Sequence, residues 1–252
     1  MATLELVDVK RAFGGVKAVD GVSFSVAGGR ITGLIGPNGS GKSTLVNLVT
    51  GVLALSSGDV RIDGRSIAKE TADVVARHGV ARTFQNIRLL AEASVLENVM
   101  IGFHRLEQSH WLANLLGLPS SRRETLALRE RAAGLLDRFG MSAFADFAAG
   151  SLAYGHQRRV EMMRVVASSP DVLLLDEPVA GMNDVEAGEL GTIFRSLAEG
   201  GMAVLLIEHN MPLVMELAHR ITVLDRGMIL AEGAPDEIRA NAAVQAAYLG
   251  TG

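Results

Sequence analysis

The chain has 252 residues, 48% of them hydrophobic, no cysteine, and a formal charge of −4 from 28 acidic against 24 basic residues. That is enough apolar material for a sizeable core, while a disulfide framework or thiolate metal site is excluded and the lack of any Lys/Arg block argues against a nucleic-acid partner. The longest apolar runs, such as VLLL and AVLLI, fall far short of the roughly 20 residues that span a bilayer, so work at a membrane would need a partner to supply the span.

The amino-terminal MATLELVDVK alternates Leu4, Leu6 and Val9 with acids; it reads as a strand and lacks the basic-then-apolar order of a signal peptide. VSFSV places Val22, Phe24 and Val26 at period two, GGR turns the chain, and ITGLIG runs into a glycine-rich loop. In KSTLVNLVTGV, Leu45, Leu48 and Val49 stand at helical spacing and Gly51 can cap the end. From Ser94 to Gly150 the pattern is helical only, which predicts an inserted helical subdomain. Beyond it DVLLLDEP, MAVLLIEH and RITVLDRG are continuous apolar runs, suited to strands buried on both faces of a parallel sheet. Helices near 155–168, 184–198 and 211–219 separate them.

GPNGSGKST comprises Gly36, Pro37, Asn38, Gly39, Ser40, Gly41, Lys42, Ser43 and Thr44, between a predicted strand and a predicted helix. Its glycines let consecutive N–H groups turn inward around phosphate oxygens, the helix start adds partial positive charge, and Lys42 reaches the outer phosphates. Ser43 offers a hydroxyl to Mg2+. A glycine-rich surface turn with a solvated lysine is the alternative. DVLLLDEP ends in Asp176 and Glu177; neighbours on a strand face opposite ways, so Asp176 is assigned to the Mg2+ shell and Glu177 to the attacking water as general base. These features predict an α/β fold with a RecA-like P-loop NTPase core, an antiparallel β subdomain near the amino terminus, and the helical insert.

The order of the remaining motifs is more specific. Gln85 in ARTFQN lies 43 residues after Lys42, followed by the helical insert, SLAYGHQRR, LLLDEP, AGMND and His209 in LLIEHN. This succession resembles the ATP-binding subunit of ABC transporters over essentially the whole chain. The resemblance implies a single ATPase domain over 1–252, with 1–87 and 158–252 forming the nucleotide-binding core and β subdomain and 88–157 the helical subdomain with the signature motif. It makes Gln85 the glutamine that touches metal and permease, and 181–184 the loop between two nucleotide sites. His209 becomes the switch histidine, and Phe13 in KRAFGG the aromatic that stacks on adenine. Taken singly, Gln85 fits a surface strand end, His209 a satisfied turn histidine, and Phe13 a core aromatic of the first sheet.

The family's usual signature is Leu-Ser-Gly-Gly-Gln. Here Leu152 and Gly155 match, whereas Ala153, Tyr154 and His156 depart from it. The implied task is to present a helix N-terminus to the γ-phosphate held by the opposite subunit, which backbone N–H groups can do without a serine hydroxyl. Arg158 and Arg159 read as salt-bridged helix surface. LAYG with RRVE, GVARTFQNIRLL, IEHNMPLVM and the ending AAYLG resemble the high-affinity branched-chain amino acid importer group. The resemblance implies ATP and Mg2+ as cofactors and a peripheral place on the cytoplasmic face of the inner or plasma membrane. Its implied partners are integral-membrane permease subunits, a homologous ATPase subunit in a homo- or heterodimer, and, indirectly, an extracytoplasmic binding protein. Import of urea or amides, or export of lipid or lipopolysaccharide, is the alternative. Trp111 and Leu115 in the helical insert fit either a permease-docking surface or a small satellite core.

Overall fold

A computed structural model describes residues 2–83, 88–104 and 119–249. In chain order its main elements are β1 (Thr3–Phe13), β2 (Val16–Ala27), β3 (Ile31–Ile35), α1 (Lys42–Val49), β4 (Ser57–Ile62), β5 (Arg65–Ser66), α2 (Ala72–Arg77) and β6 (Val80–Arg82). Then come α3 (Val95–Gly102), α4 (Pro119–Arg138), α5 (Tyr154–Ala167), β7 (Val172–Asp176), α6 (Asp184–Glu199), β8 (Ala203–Ile207) and α7 (Met211–Leu217). The chain closes with β9 (Arg220–Asp225), β10 (Met228–Gly233), α8 (Pro235–Ala240) and α9 (Ala242–Leu249). Packing divides it into a first unit of Met1–Arg82, Asp171–Pro178 and Ala187–Gly252, and a second of Thr83–Pro170 and Val179–Glu186.

The first unit holds two sheets. One is antiparallel, in the order β2-β1-β4-β5; the other runs β10-β9-β3-β8-β7-β6 and is parallel except for β10. Every residue of β3, β7 and β8 is buried, as continuous apolar runs require when both faces of a sheet are covered. Leu4, Leu6 and Val9 all reach the core although their spacing is two and then three. A register shift between Leu6 and Val9, with Asp8 at φ +46°, supplies the extra residue. Leu45, Val46, Leu48 and Val49 give α1 its buried face, and Gly51, at φ +69°, turns the chain after it.

In the second unit, Ser94 starts α3 with a reciprocal cap: its Oγ accepts from Glu97 N at 3.1 Å, and Glu97 Oε2 accepts from Ser94 N at 2.8 Å. Asn98, fully buried, accepts from Leu90 N and donates to the carbonyls of Leu90 and Ser94, fixing the turn ahead of α3. Helix α5 packs against α3 and α4, and this division by packing therefore runs past the limit at residue 157 read from the sequence. The same packing corrects the surface reading of Arg158 and Arg159, which are only 1% and 9% exposed. Arg158 is paired with Glu161 at 2.6 Å, and Arg159 donates to the Phe139 carbonyl at 3.1 Å. A helix held between two neighbours has little free face, and its cations need internal partners.

Candidate nucleotide-binding site

The glycine-rich loop leaves β3 where that strand is pinned on both sides, Leu34 beside Ile207 and Ile35 beside Val223. Gly36 lies so close to the Leu224 carbonyl oxygen that a Cβ has no room, and Gly41, at φ +105°, approaches the Ala18 carbonyl of β2 in the same way. Helix α1 begins at Gly41 with no side-chain cap and no acid in its first turn. Its first N–H groups are thus open to an external anion. Asn38, Gly39 and Ser43 are exposed, Pro37 and Thr44 partly buried, and Ser40 is buried with its carbonyl accepting from Gly227 N at 2.9 Å. Lys42 folds back over the loop, donating to the carbonyls of Gly36 at 2.7 Å and Pro37 at 3.0 Å. Burial lowers the pKa of its ammonium, and the nearby charges of Glu177 and Asp176 oppose that shift. A cradle of N–H donors with one cation and no acid within it fits phosphate.

Asp176 ends β7, 2% exposed, with Oδ2 2.7 Å from Arg82 Nη2; Arg82 Nη1 also donates to Asn47 Oδ1 at 2.6 Å. The strand stops there. Glu177 takes φ +48° and its N–H donates to the Ile207 carbonyl at 2.9 Å. Strand alternation therefore does not set its direction, contrary to the sequence argument; a left-handed residue before Pro178 does, at a backbone cost of about 1–2 kcal/mol. The Glu177 carboxylate is partly exposed, and Oε1 stands 3.8 Å from Nδ1 of the exposed His209. That distance is too long for a hydrogen bond. The fully buried Glu208 side chain lies 3.7 Å from the same nitrogen and accepts from the N–H groups of His209 and Asn210 at 3.1 and 3.3 Å. Neither Arg82 nor Glu208 was identifiable from the sequence: an arginine or glutamate at a strand end ordinarily faces solvent, and only the assembled sheet buries Glu208 and partly covers Arg82.

Phe13 stands at the end of β1, 44% exposed, with the Arg11 guanidinium 4.7 Å from its ring centroid. It is not a core aromatic of the first sheet. Gln85, Trp111 and Leu115 lie outside the described residues.

The second unit carries the signature-like stretch. Leu152 is buried, Ala153 caps α5 without a side-chain bond, and α5, like α1, has no acid in its own first turn. Gln157 Nε2 donates to the Leu152 carbonyl at 2.8 Å, and the His156 ring lies 4.5 Å from that of Phe144. Tyr154 is half exposed, its ring against Gly181, where an added Cβ would sit 3.2 Å from the ring edge. Asn183 and Glu186 cap each other's backbones at 3.0 and 3.1 Å, and this holds the Glu186 carboxylate beside Gly155.

A family model described as ABC transporter matches residues 19–180, and one described as branched-chain amino acid ATP-binding cassette transporter matches residues 228–252. The chain is 42% identical to the high-affinity branched-chain amino acid transport ATP-binding protein BraF of Pseudomonas aeruginosa, covering 98% of this chain and 97% of that one. It is 40% identical to LivG of Escherichia coli, of the same description, over 94% of each. To the lipopolysaccharide export system ATP-binding protein LptB of Escherichia coli it is 31% identical, over 99% and 98%. Among solved structures, a nucleotide-free ATP-binding cassette from an ABC transporter superposes with TM-score 0.84 at 32% identity, over 98% and 99% of the two chains.

Proposed function

Because this chain belongs to the ATP-binding cassette family of ABC transporters, in which ATP hydrolysis drives transport, we propose that it powers an importer of branched-chain or other hydrophobic amino acids. The observation that carries the cargo is the end-to-end match to BraF and LivG, at higher identity than to LptB, joined by the carboxy-terminal match over 228–252. None of the described helices is long and apolar enough to cross a membrane. In the proposed assembly, permease subunits supply the span, an extracytoplasmic binding protein delivers the cargo, and this subunit sits on the cytoplasmic face.

Within that reading, the 36–44 loop holds the phosphates through its N–H groups and Lys42, and Glu177 takes the proton from the attacking water. His209, against Glu177, orients that carboxylate. The hydroxyl of Ser43 and the carboxylate of Asp176 are hard oxygen donors that suit Mg2+, and Gln85 is the further ligand assigned from the sequence. When bound, the metal neutralises charge on the transferring phosphoryl group. Residues 152–156 serve the nucleotide of a second, homologous subunit, and the uncapped start of α5 is the feature that supports this. The proposed division of labour keeps 88–157 as the segment that carries the signature.

Phe13 is proposed to stack on adenine, as its exposure at the end of β1 permits. Phe13→Ala should weaken ATP binding about tenfold, from the ~1–3 kcal/mol of base stacking, with the melting temperature unchanged. Unchanged affinity in a stably folded variant would remove Phe13 from the site.

The cargo is tested by reconstituting this subunit in liposomes with the permeases that co-purify with it and their binding protein. Leucine-loaded binding protein should stimulate ATP hydrolysis and drive leucine uptake. Stimulation by urea or lipopolysaccharide instead would overturn the cargo.

A further inference from the structure

The two side-chain oxygen donors proposed above for Mg2+ on described residues, the Ser43 hydroxyl and the Asp176 carboxylate, come from different elements, α1 and β7. On α1, Ser43 and Asn47 are four residues apart and share one face of the helix. On β7, Asp176 stands two residues beyond Leu174 and points to the same side of the sheet. That is the side α1 covers, since Leu174 belongs to one buried cluster with Leu45, Val46, Leu48 and Val49.

β6 is the edge strand beside β7, and its last residue, Arg82, pairs in register with Leu174. The Arg82 side chain therefore starts on the covered side, one alternate-residue step of about 6–7 Å behind Asp176. It spans that step and forks. Nη2 donates to Asp176 Oδ2 at 2.7 Å, while Nη1 donates to Asn47 Oδ1 at 2.6 Å. The two charged side chains are 15% and 3% exposed, and largely out of water such a charge-assisted bond is strong and directional.

We propose that Arg82 is a positioning residue for the metal side of the nucleotide site, its fork tying the Asp176 carboxylate to the face of α1 that carries Ser43. The inference rests on the nucleotide reading above and on the assignment of Ser43 and Asp176 to Mg2+ within it. The terminal torsion of an aspartate is broad, so the backbone of β7 alone does not orient the carboxylate. Arg82 does, by holding Oδ2. The same guanidinium grips α1, so the two metal-side oxygens are presented at one fixed spacing. A lysine would keep the positive charge but is a point charge on a flexible stem, without the planar fork that serves two acceptors at once. The phosphate cradle draws on loop N–H groups and on Lys42, whose bonds go to the Gly36 and Pro37 carbonyls. Nucleotide binding without metal should therefore not depend on Arg82.

The test compares the full wild-type chain with Arg82→Lys and Asn47→Ala. Each is saturated with ADP and titrated with Mn2+, the probe standing for Mg2+, by electron paramagnetic resonance; ADP affinity in EDTA is measured by calorimetry. Arg82→Lys should raise the Mn2+ dissociation constant about tenfold or more, the usual cost of losing the partner of a ligating group. Asn47→Ala keeps the ion pair and frees only the α1 side, and should raise it about two- to fivefold, as for one net hydrogen bond. ADP affinity in EDTA should be unchanged in both. Unchanged or tighter Mn2+ binding in either folded variant would overturn the proposal and make Arg82 structural only, whatever the melting temperature. Wild-type protein that binds ADP but takes up no Mn2+ would overturn the metal assignment, and wild-type protein that binds neither ATP nor ADP the nucleotide reading itself, each with this inference.

Discussion

Glu177→Gln is expected to bind ATP as the wild type does and to hydrolyse it about 100- to 10,000-fold more slowly, the usual contribution of a positioned general base. The amide has nearly the same shape, keeps the N–H to the Ile207 carbonyl and the left-handed turn into Pro178, and cannot take a proton. Lys42, its charge environment altered by one carboxylate, retains Asp176. In a transporter the variant should accumulate with ATP bound, as a stable dimer seen by size-exclusion chromatography with light scattering. Wild-type turnover in a preparation free of contaminating ATPase would remove Glu177 from the chemistry.

Gly155→Asp should lower hydrolysis about 100-fold or more, comparable to losing an electrostatic donor from a reacting centre, while the isolated subunit keeps its nucleotide affinity. A Cβ at Gly155 would lie 3.3 Å from Glu186 Oε1, so the new carboxylate meets an existing one as well as the start of α5. Like charges so placed repel, and an acid there also opposes the anion that the uncapped N–H groups are proposed to receive from the opposite subunit. Ala153→Ser, which only restores a hydroxyl at the cap, should change the rate little. Loss of nucleotide binding by the isolated Gly155→Asp subunit, with its fold intact, would assign the stretch to its own subunit's site.

Much of this architecture was legible because the signals were local. The strand, loop and helix around Lys42 follow from periodicity and glycine placement, and the buried strands β7 and β8 from their continuous apolar runs. What the sequence hid depends on packing between distant segments. Arg158 and Arg159 sit in a run that looks solvated, and only the flanking α3 and α4 bury them. The direction of Glu177 turns on a single positive φ that the strand pattern conceals. Arg82 reaches Asp176 across 94 residues of chain, with no periodicity to mark the contact.

The neighbours of β3 in the sheet have a consequence for biosynthesis. β1 pairs with both β2 and β4 within the first 62 residues, so these strands of the antiparallel sheet can come together early on the ribosome. β3, which carries the phosphate loop, is flanked only by β8 and β9, from residues 203–207 and 220–225. At about 5–20 residues per second, some 160 further residues take on the order of ten seconds to emerge. During that interval a five-residue strand carrying Ile31, Leu34 and Ile35 waits with both edges unpaired, a state in which nascent chains are exposed to misassociation. The nucleotide site is thus among the last parts of the molecule to become possible, and a chain truncated before residue 220 could hold its amino-terminal sheet yet never present a formed phosphate loop.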